Sequence, residues 1–335
     1  MWKLAIDLGS SMTKIYRADT SSGIVLAEPS CVAVAGDDKE VKAIGKEAKN
    51  LIGKTAEYTS IIYPVYEGEI VDMRLAVAML KAFLSRVGIK QSAIRRAQVL
   101  LSVPCGASES VLADYIALAE ECGLKKVFTV EQPYLAAVGA GAVLSNSDPV
   151  FCMDIGGGVT NIAVVSGDGI IAGLSMNIGG NNMDANILNR VARVNGLRIG
   201  SLTAEKIKNE IGSLSPNARA SIVAEGSSVE TCRPAASSVH ASDLTDCIRV
   251  YIDKILEYAG AVLRKLPAEV AAAVNRNGVF LSGGAMKLAY LPQYIGAKLE
   301  MRYHLCEEPQ FATVLGGGAV ARDKELLAQF AKDAD

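Results

Sequence analysis

Asp7-Leu8-Gly9-Ser10-Ser11 and Asp154-Ile155-Gly156-Gly157-Gly158 repeat one local pattern: an apolar run ends in aspartate, a glycine and small residues follow, and a second apolar run begins. The match extends outward, because Thr13 and Ile15 stand at the same offsets as Thr160 and Ile162. Glycine and small residues let successive backbone N–H groups approach phosphate oxygens and form an anion-binding concavity. A carboxylate at the strand end can hold Mg²⁺, mainly through water, since magnesium sheds its waters reluctantly. One such turn alone reads as an ordinary hairpin. Two matched copies, one per half of the chain, point to a duplicated fold that holds a polyphosphate and its metal between them.

Working outward, residues 3–7, 14–18 and 23–27 read as three short strands of an antiparallel meander, and residues 150–154, 161–166 and 170–175 repeat it. Duplication accounts for both sets at once. Between the copies, residues 72–87 carry apolar side chains at Val77, Leu80 and Leu84, and residues 108–122 carry Val111, Tyr115, Leu118 and Cys122, both at helical spacing. These helices alternate with strands over 98–103 and 127–130, which is an α/β pattern. Pro133 suits the first turn of a small-residue helix over 134–142. In the second half, helices are expected over 183–194, 203–211 with Thr203 as N-cap, 242–266 and 291–299, and a buried strand over 278–282. Residues 213–242, rich in Ser, Ala and Thr, read as short strands and loops of an inserted subdomain.

A chain of 335 residues is long for one ordinary core, so two domains are expected. Half its residues are apolar and its net charge is −2, which describes a globular protein without the basic field that nucleic acid requires. Arg95-Arg96 reads as a solvated face. The seven cysteines are scattered, with no CxxC pair and no His spacing suited to zinc. Cys122 and Cys152 sit in apolar runs as small buried hydrophobes, so a reducing cytoplasm is expected. Met1-Trp2-Lys3-Leu4-Ala5-Ile6 leads straight into the first loop, leaving no room for a signal peptide or amphipathic anchor, and no apolar stretch reaches the roughly 20 residues of a spanning helix.

Two further stretches imitate nucleotide motifs. Ala48-Lys49-Asn50-Leu51-Ile52-Gly53-Lys54-Thr55 nearly fits GxxxxGK[ST], with Ala48 where the first glycine belongs. A working P-loop follows a buried strand and opens a helix, whereas residues 45–51 are themselves helix-like. Gly316-x-Gly318-x-x-Ala321 imitates a dinucleotide fingerprint but lacks a following βαβ unit and an acidic partner, so it reads as a packing cluster.

The remaining distinctive runs are Gly23-Ile24-Val25-Leu26-Ala27-Glu28-Pro29-Ser30, Gly45-Lys46-Glu47-Ala48-Lys49, Gly68-Glu69-Ile70-Val71-Asp72, Asn177-Ile178-Gly179-Gly180-Asn181-Asn182-Met183-Asp184, Thr203-Ala204-Glu205-Lys206-Ile207-Lys208-Asn209-Glu210-Ile211-Gly212 and Leu281-Ser282-Gly283-Gly284. Together with the two loops, they resemble the actin, sugar-kinase and heat-shock-chaperone ATPase superfamily, and within it the MreB family of bacterial actins. The similarity spans almost the whole chain and weakens over 213–242.

The resemblance implies an α/β, actin-like, duplicated ribonuclease-H-like fold: two domains, each with a smaller inserted subdomain, around a nucleotide cleft. Domain I would comprise residues 1–144 and 306–335 with a small subdomain at about 31–75, and domain II residues 145–305 with one at about 181–248. By position, Asp7, Gly9, Ser10, Ser11 and Met12 resemble the first phosphate loop, and Asp154, Gly156, Gly157, Gly158 and Val159 the second. Gly179 and Gly180 would lie near the phosphates. Glu205 and Lys208, on one helical face by their i,i+3 spacing, look like the pair that meets the nucleoside. Gly283, Gly284, Met286 and Lys287 resemble the adenosine-binding turn. The implied cofactors are ATP and Mg²⁺, the metal held near Asp7 and Asp154.

Two departures from the family bear on function. The residue before Pro133 is glutamate in typical members but Gln132 here. A carboxylate can accept a proton from the attacking water, while an amide can only orient it. Gln132 and Thr160 are therefore the expected water-positioning residues, with Glu131 structural. The second departure is at the membrane: there is no N-terminal amphipathic extension, and residues 88–96 offer only Ile89 and Ile94 as large aliphatics, so direct membrane binding is not expected. The implied role is an ATP-hydrolysing filament protein of cell shape and wall synthesis, a homopolymer that meets membrane morphogenesis proteins. A plasmid- or organelle-positioning filament shares that mechanism. A chaperone-type ATPase would add a peptide-binding module, and a small-molecule kinase would need a cleft carboxylate acting as base, for which no residue stands out.

Overall fold

The computed structural model describes residues 1–54 and 58–329. In the first half, β1 (Lys3–Leu8), β2 (Met12–Arg17) and β3 (Gly23–Pro29) form the antiparallel meander. The chain then builds a separate three-stranded sheet from β4 (Val32–Ala35), β5 (Glu40–Ile44) and β6 (Thr59–Ile62), with the one-turn helix α1 (Lys46–Lys49) packed on it through Cys31, Ala33 and Ala48. Residues 50–53 are turn, so the near-P-loop stretch is neither strand-led nor helix-opening, and its last residue, Thr55, lies outside the described residues. A short hairpin, β7 (Val65–Tyr66) and β8 (Glu69–Ile70), leads to α2 (Met73–Arg86). The Asp72 side chain caps this helix by accepting from Leu75 N–H at 3.1 Å, and the apolar stripe Leu75, Met79, Leu80 and Phe83 is fully buried.

After α3 (Gln91–Ile94), β9 (Gln98–Val103), α4 (Glu109–Glu121), β10 (Lys126–Glu131) and α5 (Gln132–Gly139) complete this half. Ile89 and Ile94 pack into the core beneath α2 and α4, so neither is presented to a membrane.

The second half repeats the plan with β11 (Val150–Ile155), β12 (Thr160–Ser166) and β13 (Gly169–Met176), then α6 (Gly180–Asn195), β14 (Leu197–Arg198) and α7 (Ser201–Ile211). The stretch 213–242 is more regular than its composition suggests. It forms the paired strands β15 (Ser221–Ser228) and β16 (Pro234–His240), which add to β14. These strands bury little beyond Ala224 and Val239, so they carry few long apolar residues. Thr203 is not the N-cap of α7: Ser201 and Leu202 are already helical, and extended Gly200 occupies the cap. The chain continues through α8 (Ala241–Leu263), α9 (Ala268–Asn277), β17 (Val279–Ser282), α10 (Leu291–Leu299), β18 (Tyr303–Leu305), α11 (Ala312–Arg322) and α12 (Lys324–Gln329). No helix among the described residues is long and apolar enough to cross a membrane.

The two large sheets have one topology. Their orders are β10-β9-β1-β2-β3 and β13-β12-β11-β17-β18, each a three-stranded antiparallel meander whose first strand also pairs in parallel with a later strand. An apolar cluster lies between the sheets, drawing Leu100 and Val130 from the first, Cys152 and Val165 from the second, and Leu135 and Val320 from α5 and α11. These two helices exchange sides: α5 follows the first sheet yet packs on β11 and β12, and α11 follows the second yet packs on β1, β2 and β9. Where they cross, a methyl on Gly316 would overlap the Leu135 carbonyl oxygen, and one on Gly139 the Ala312 carbonyl oxygen. Gly318 is pressed against the Tyr16 ring, so the imitation dinucleotide motif is a packing cluster.

Candidate functional site

The two Asp-x-Gly turns are closed by the same bond. Gly9 N–H donates to the Met12 carbonyl at 3.2 Å, and Gly156 N–H to the Val159 carbonyl at 2.9 Å. At either glycine a Cβ would stand 2.9 Å from that carbonyl oxygen, which is why neither position carries a side chain. Beyond the turns, Asp7 faces Lys14 across the hairpin and Asp154 faces Asn161. The loops meet tip to tip: methyls on Gly157 and Gly158 would strike Ser11 and Ser10. The second loop is bare glycine because the hydroxymethyl groups of the first fill its space.

Asp7 and Asp154 are 5% and 8% exposed. Lys14 Nζ lies 2.7 Å from Asp7 Oδ2, and Ser102 Oγ donates to Oδ1 at 2.8 Å. Asp154 Oδ1 accepts from Ser282 Oγ at 2.9 Å. Burial, followed by the charge of Asp7, pushes the Asp154 carboxyl up to about 6, against the opposing pull of Lys14, Ser282 and Thr313. Two carboxylates in mutual repulsion at the head of a phosphate-type cradle match the donor set with which magnesium is held jointly by protein and phosphates. No cluster of three or more His, Cys, Asp or Glu exists among the described residues, so the protein alone offers no closed cage.

Gln132, the first residue of α5, is buried at the cleft floor. Its Oε1 accepts from Asn161 Nδ2 at 2.8 Å, and its Nε2 faces Asp7 Oδ1 and Ser102 Oγ, each at 3.5 Å. Asn161 is itself fixed, since its Oδ1 accepts from Cys105 N–H at 3.0 Å. Glu131 points away and accepts from Gly106 N–H at 2.6 Å. Thr160 is fully buried and donates to the Ile178 carbonyl at 2.7 Å. Its counterpart Thr13 instead shares a hydroxyl–hydroxyl hydrogen bond with Ser30, at 2.9 Å. The repeated threonines therefore fasten each meander to the segment after its third strand, and Asn161 is the neighbouring polar side chain that lines the cleft.

The opposite wall comes from the second half. The first N–H groups of α6 reach the second loop, Gly180 to the Gly156 carbonyl at 3.0 Å and Asn181 to that of Gly157 at 2.8 Å. Lys208 bonds Asp184 at 2.7 Å and the Gly180 carbonyl at 3.0 Å, while Glu205, on the same face of α7, pairs with Lys49. Gly283 adopts φ +93°, where a methyl would overlap the Ile155 carbonyl oxygen. Gly284 and Lys287 lie in the 3-10 turn that follows.

These parts enclose a cavity of about 490 Å³, within the size range of small-molecule sites. Asp7, Gly9, Ser10, Ser11, Met12, Gln132, Asp154, Gly156, Gly157, Gly158, Val159, Gly180, Glu205, Lys208, Gly283, Gly284 and Lys287 all line it. Gly179, against the Gly157 carbonyl, and Met286, in the second-half core, stand just behind the wall with Thr160. The sequence reading missed Lys14, Asn161, Gln310 and Thr313 as lining residues. Gln310 Oε1 is buried there without a hydrogen-bond partner.

A model of the MreB/Mbl protein family matches residues 1–329. The chain belongs to the MreB/Mbl family. It is 33% identical to the cell shape-determining protein MreB of Escherichia coli (strain K12) over 320 residues, covering 94% of this chain and 92% of that one. It is 31% identical to the cell shape-determining protein Mbl of Bacillus subtilis (strain 168) over 325 residues, covering 97% of each. Among solved structures, this MreB/Mbl protein is similar to MreB 5 of Spiroplasma citri bound to AMPPNP, with a TM-score of 0.91, 25% identity, and coverage of 100% of this chain and 99% of that one. The MamK double helical filament subunit shares the fold, with a TM-score of 0.79 at 20% identity and coverage of 96% and 99%.

Proposed function

We propose that this MreB/Mbl protein is an ATP-binding bacterial actin whose filaments maintain cell shape and organise wall synthesis. The observation that carries the reading is the pair of matched loops, 9–12 and 156–159, closing on one cleft with Asp7 and Asp154 at their bases. The similarity to Spiroplasma citri MreB5 bound to AMPPNP and to ADP supports a nucleotide in that cleft. The identical plan of the two large sheets supports a duplicated, ribonuclease-H-like origin for the halves, each carrying its own small subdomain.

In this reading the loops cradle the phosphates, Glu205, Lys208 and the 283–287 turn hold the nucleoside, and Asp7 and Asp154 hold Mg²⁺ mainly through water. Bound there, Mg²⁺ would supply charge compensation at the phosphates. Gln132 orients the water that attacks the γ-phosphate. Thr160 contributes by fixing the strand on which Asn161 stands, and Asn161 in turn fixes the Gln132 amide. Hydrolysis without a carboxylate base is slow. Nucleotide state sets the angle between the halves and hence the contacts between subunits. The polymer works in the cytoplasm, at the inner face of the membrane, through membrane-embedded partners.

Sedimentation and negative-stain electron microscopy of purified protein with ATP·Mg²⁺, ADP·Mg²⁺ or no nucleotide test the assignment. ATP-dependent pelleting with visible protofilaments is expected. Monomer under all three conditions, with no bound nucleotide detected by chromatography, would overturn it.

A further inference from the structure

Lys49 and Glu205 are 156 residues apart and belong to the inserted subdomains of opposite halves, yet Lys49 Nζ lies 2.9 Å from Oε1 and 2.7 Å from Oε2 of Glu205. Among the described residues this is the one ion pair that joins the two halves. Its two ends are firmly mounted. Lys49 closes α1, which is seated on the small sheet through fully buried Ala48. Glu205 projects from α7, which is anchored by buried Ala204 and Ile207. Glu205 also lines the nucleotide cavity, whereas Lys49 does not.

We infer that Lys49 is a positioning residue that gates nucleotide exchange: by holding Glu205 from the facing subdomain, it clasps the cleft, so a nucleotide passes only while the pair is broken. The inference rests on the nucleotide reading above. The strength of the contact fits a gate. The side chains are 28% and 37% exposed, so the pair is stabilising but weak, opens thermally and is screened by salt. Because the pair ties the facing subdomains together across the cleft, it obstructs entry as well as exit. Its removal therefore speeds both rates and leaves affinity almost unchanged, whereas loss of a direct ligand contact would raise the dissociation constant.

The test uses stopped-flow entry and release of a fluorescent ADP analogue, chased with unlabelled ATP, on full-length parent, Lys49→Met and Lys49→Arg. Lys49→Met keeps the aliphatic stem and loses the charge. Its entry and release should both rise about threefold, with the dissociation constant within twofold of the parent value, and Lys49→Arg should behave as the parent. Release from the parent should quicken about threefold between 50 mM and 500 mM KCl, and release from Lys49→Met should not. Parental rates in Lys49→Met, slower release, or a shift in affinity through one rate alone would each refute the clasp. If Lys49→Met does not fold, salt-insensitive release from the parent refutes it independently. Failure of the parent to bind the analogue at all would instead refute the nucleotide reading.

Discussion

Lys14 stands directly opposite Asp7 in the register of the first hairpin, with its Nζ 2.7 Å from Asp7 Oδ2. The corresponding partner of Asp154 in the second hairpin is Asn161. The duplication is thus broken at one cross-strand pair: one half brings a cation to the cleft floor, and the other brings an amide that holds Gln132. Replacing Lys14 by methionine would leave Asp7 buried and unneutralised within the field of Asp154. Removing one partner of such a pair is costly, so Lys14→Met should lose roughly 3 kcal/mol of stability in urea unfolding. It should also weaken ATP binding about tenfold in a fluorescence titration. A variant as stable as the parent would mean that Asp7 needs no counter-ion.

Gln132 offers its carbonyl to Asn161 and its amino group to Asp7 and Ser102. In Gln132→Glu the new carboxylate would keep the Asn161 bond and face Asp7, a like charge that lifts its proton affinity toward neutrality and suits it to act as a general base. Phosphate release from ATP should increase about fivefold. An unchanged or slower rate would count against Gln132 as the water-positioning residue.

Asp154 gives the nucleotide-free protein a distinct pH response. Its folded-state value of about 6 lies above the ordinary 3.8 because of burial and then the charge of Asp7. Between those values the folded state binds more protons than the unfolded state, so this residue's contribution to stability declines as pH rises from about 4 to about 6. The isosteric Asp154→Asn removes that response. Relative to the parent it should be about 3 kcal/mol more stable at pH 7.5 than at pH 3.5, read as the difference between urea curves at each pH. A pH-independent difference would mean that the carboxyl titrates normally.

Gly316 touches the Leu135 carbonyl at the crossing of α5 and α11, and there is no room for a methyl between the two backbones. Gly316→Ala should cost 3 kcal/mol or more in thermal unfolding. Gly200 has open space around it, and Gly200→Ala, at a helix cap, should cost no more than about 1 kcal/mol. Comparable losses in the two variants would contradict the close approach.

The cradle was legible because its constraint is local: an aspartate, a glycine pressed on a carbonyl and a threonine at fixed offsets recur whatever surrounds them. The helices starting at Asp72 and Ser108 were legible from apolar spacing alone; their side-chain caps, each bonding a backbone N–H three residues on, were not read, and the one cap expected, Thr203, lies inside α7. Lys14 and Asn161 were missed because a polar residue within an alternating strand looks like a solvated face. Carrying the comparison of the repeats one residue beyond Thr13 and Thr160 would have exposed the pair. The hairpin of β15 and β16 was obscured by its composition, since a half-exposed ribbon needs few large apolar residues. The bond between Lys49 and Glu205 joins segments that no local pattern connects, so it emerges only when the halves are folded against each other.

The crossing of α5 and α11 has a mechanical meaning. Helices that meet through side chains can slide by swapping rotamers, but these meet through bare backbone and have no cushion on which to shear. A relative rotation of the halves would then pivot about this contact, with the glycines as its fulcrum. Gln132 and Thr313 sit on the opening turns of the two helices that make this contact. Lys49 and Glu205 ride on the outlying subdomains, where the same rotation becomes a long stroke. Leverage of this kind would let the rim open and shut while the loops at the cleft floor keep their register.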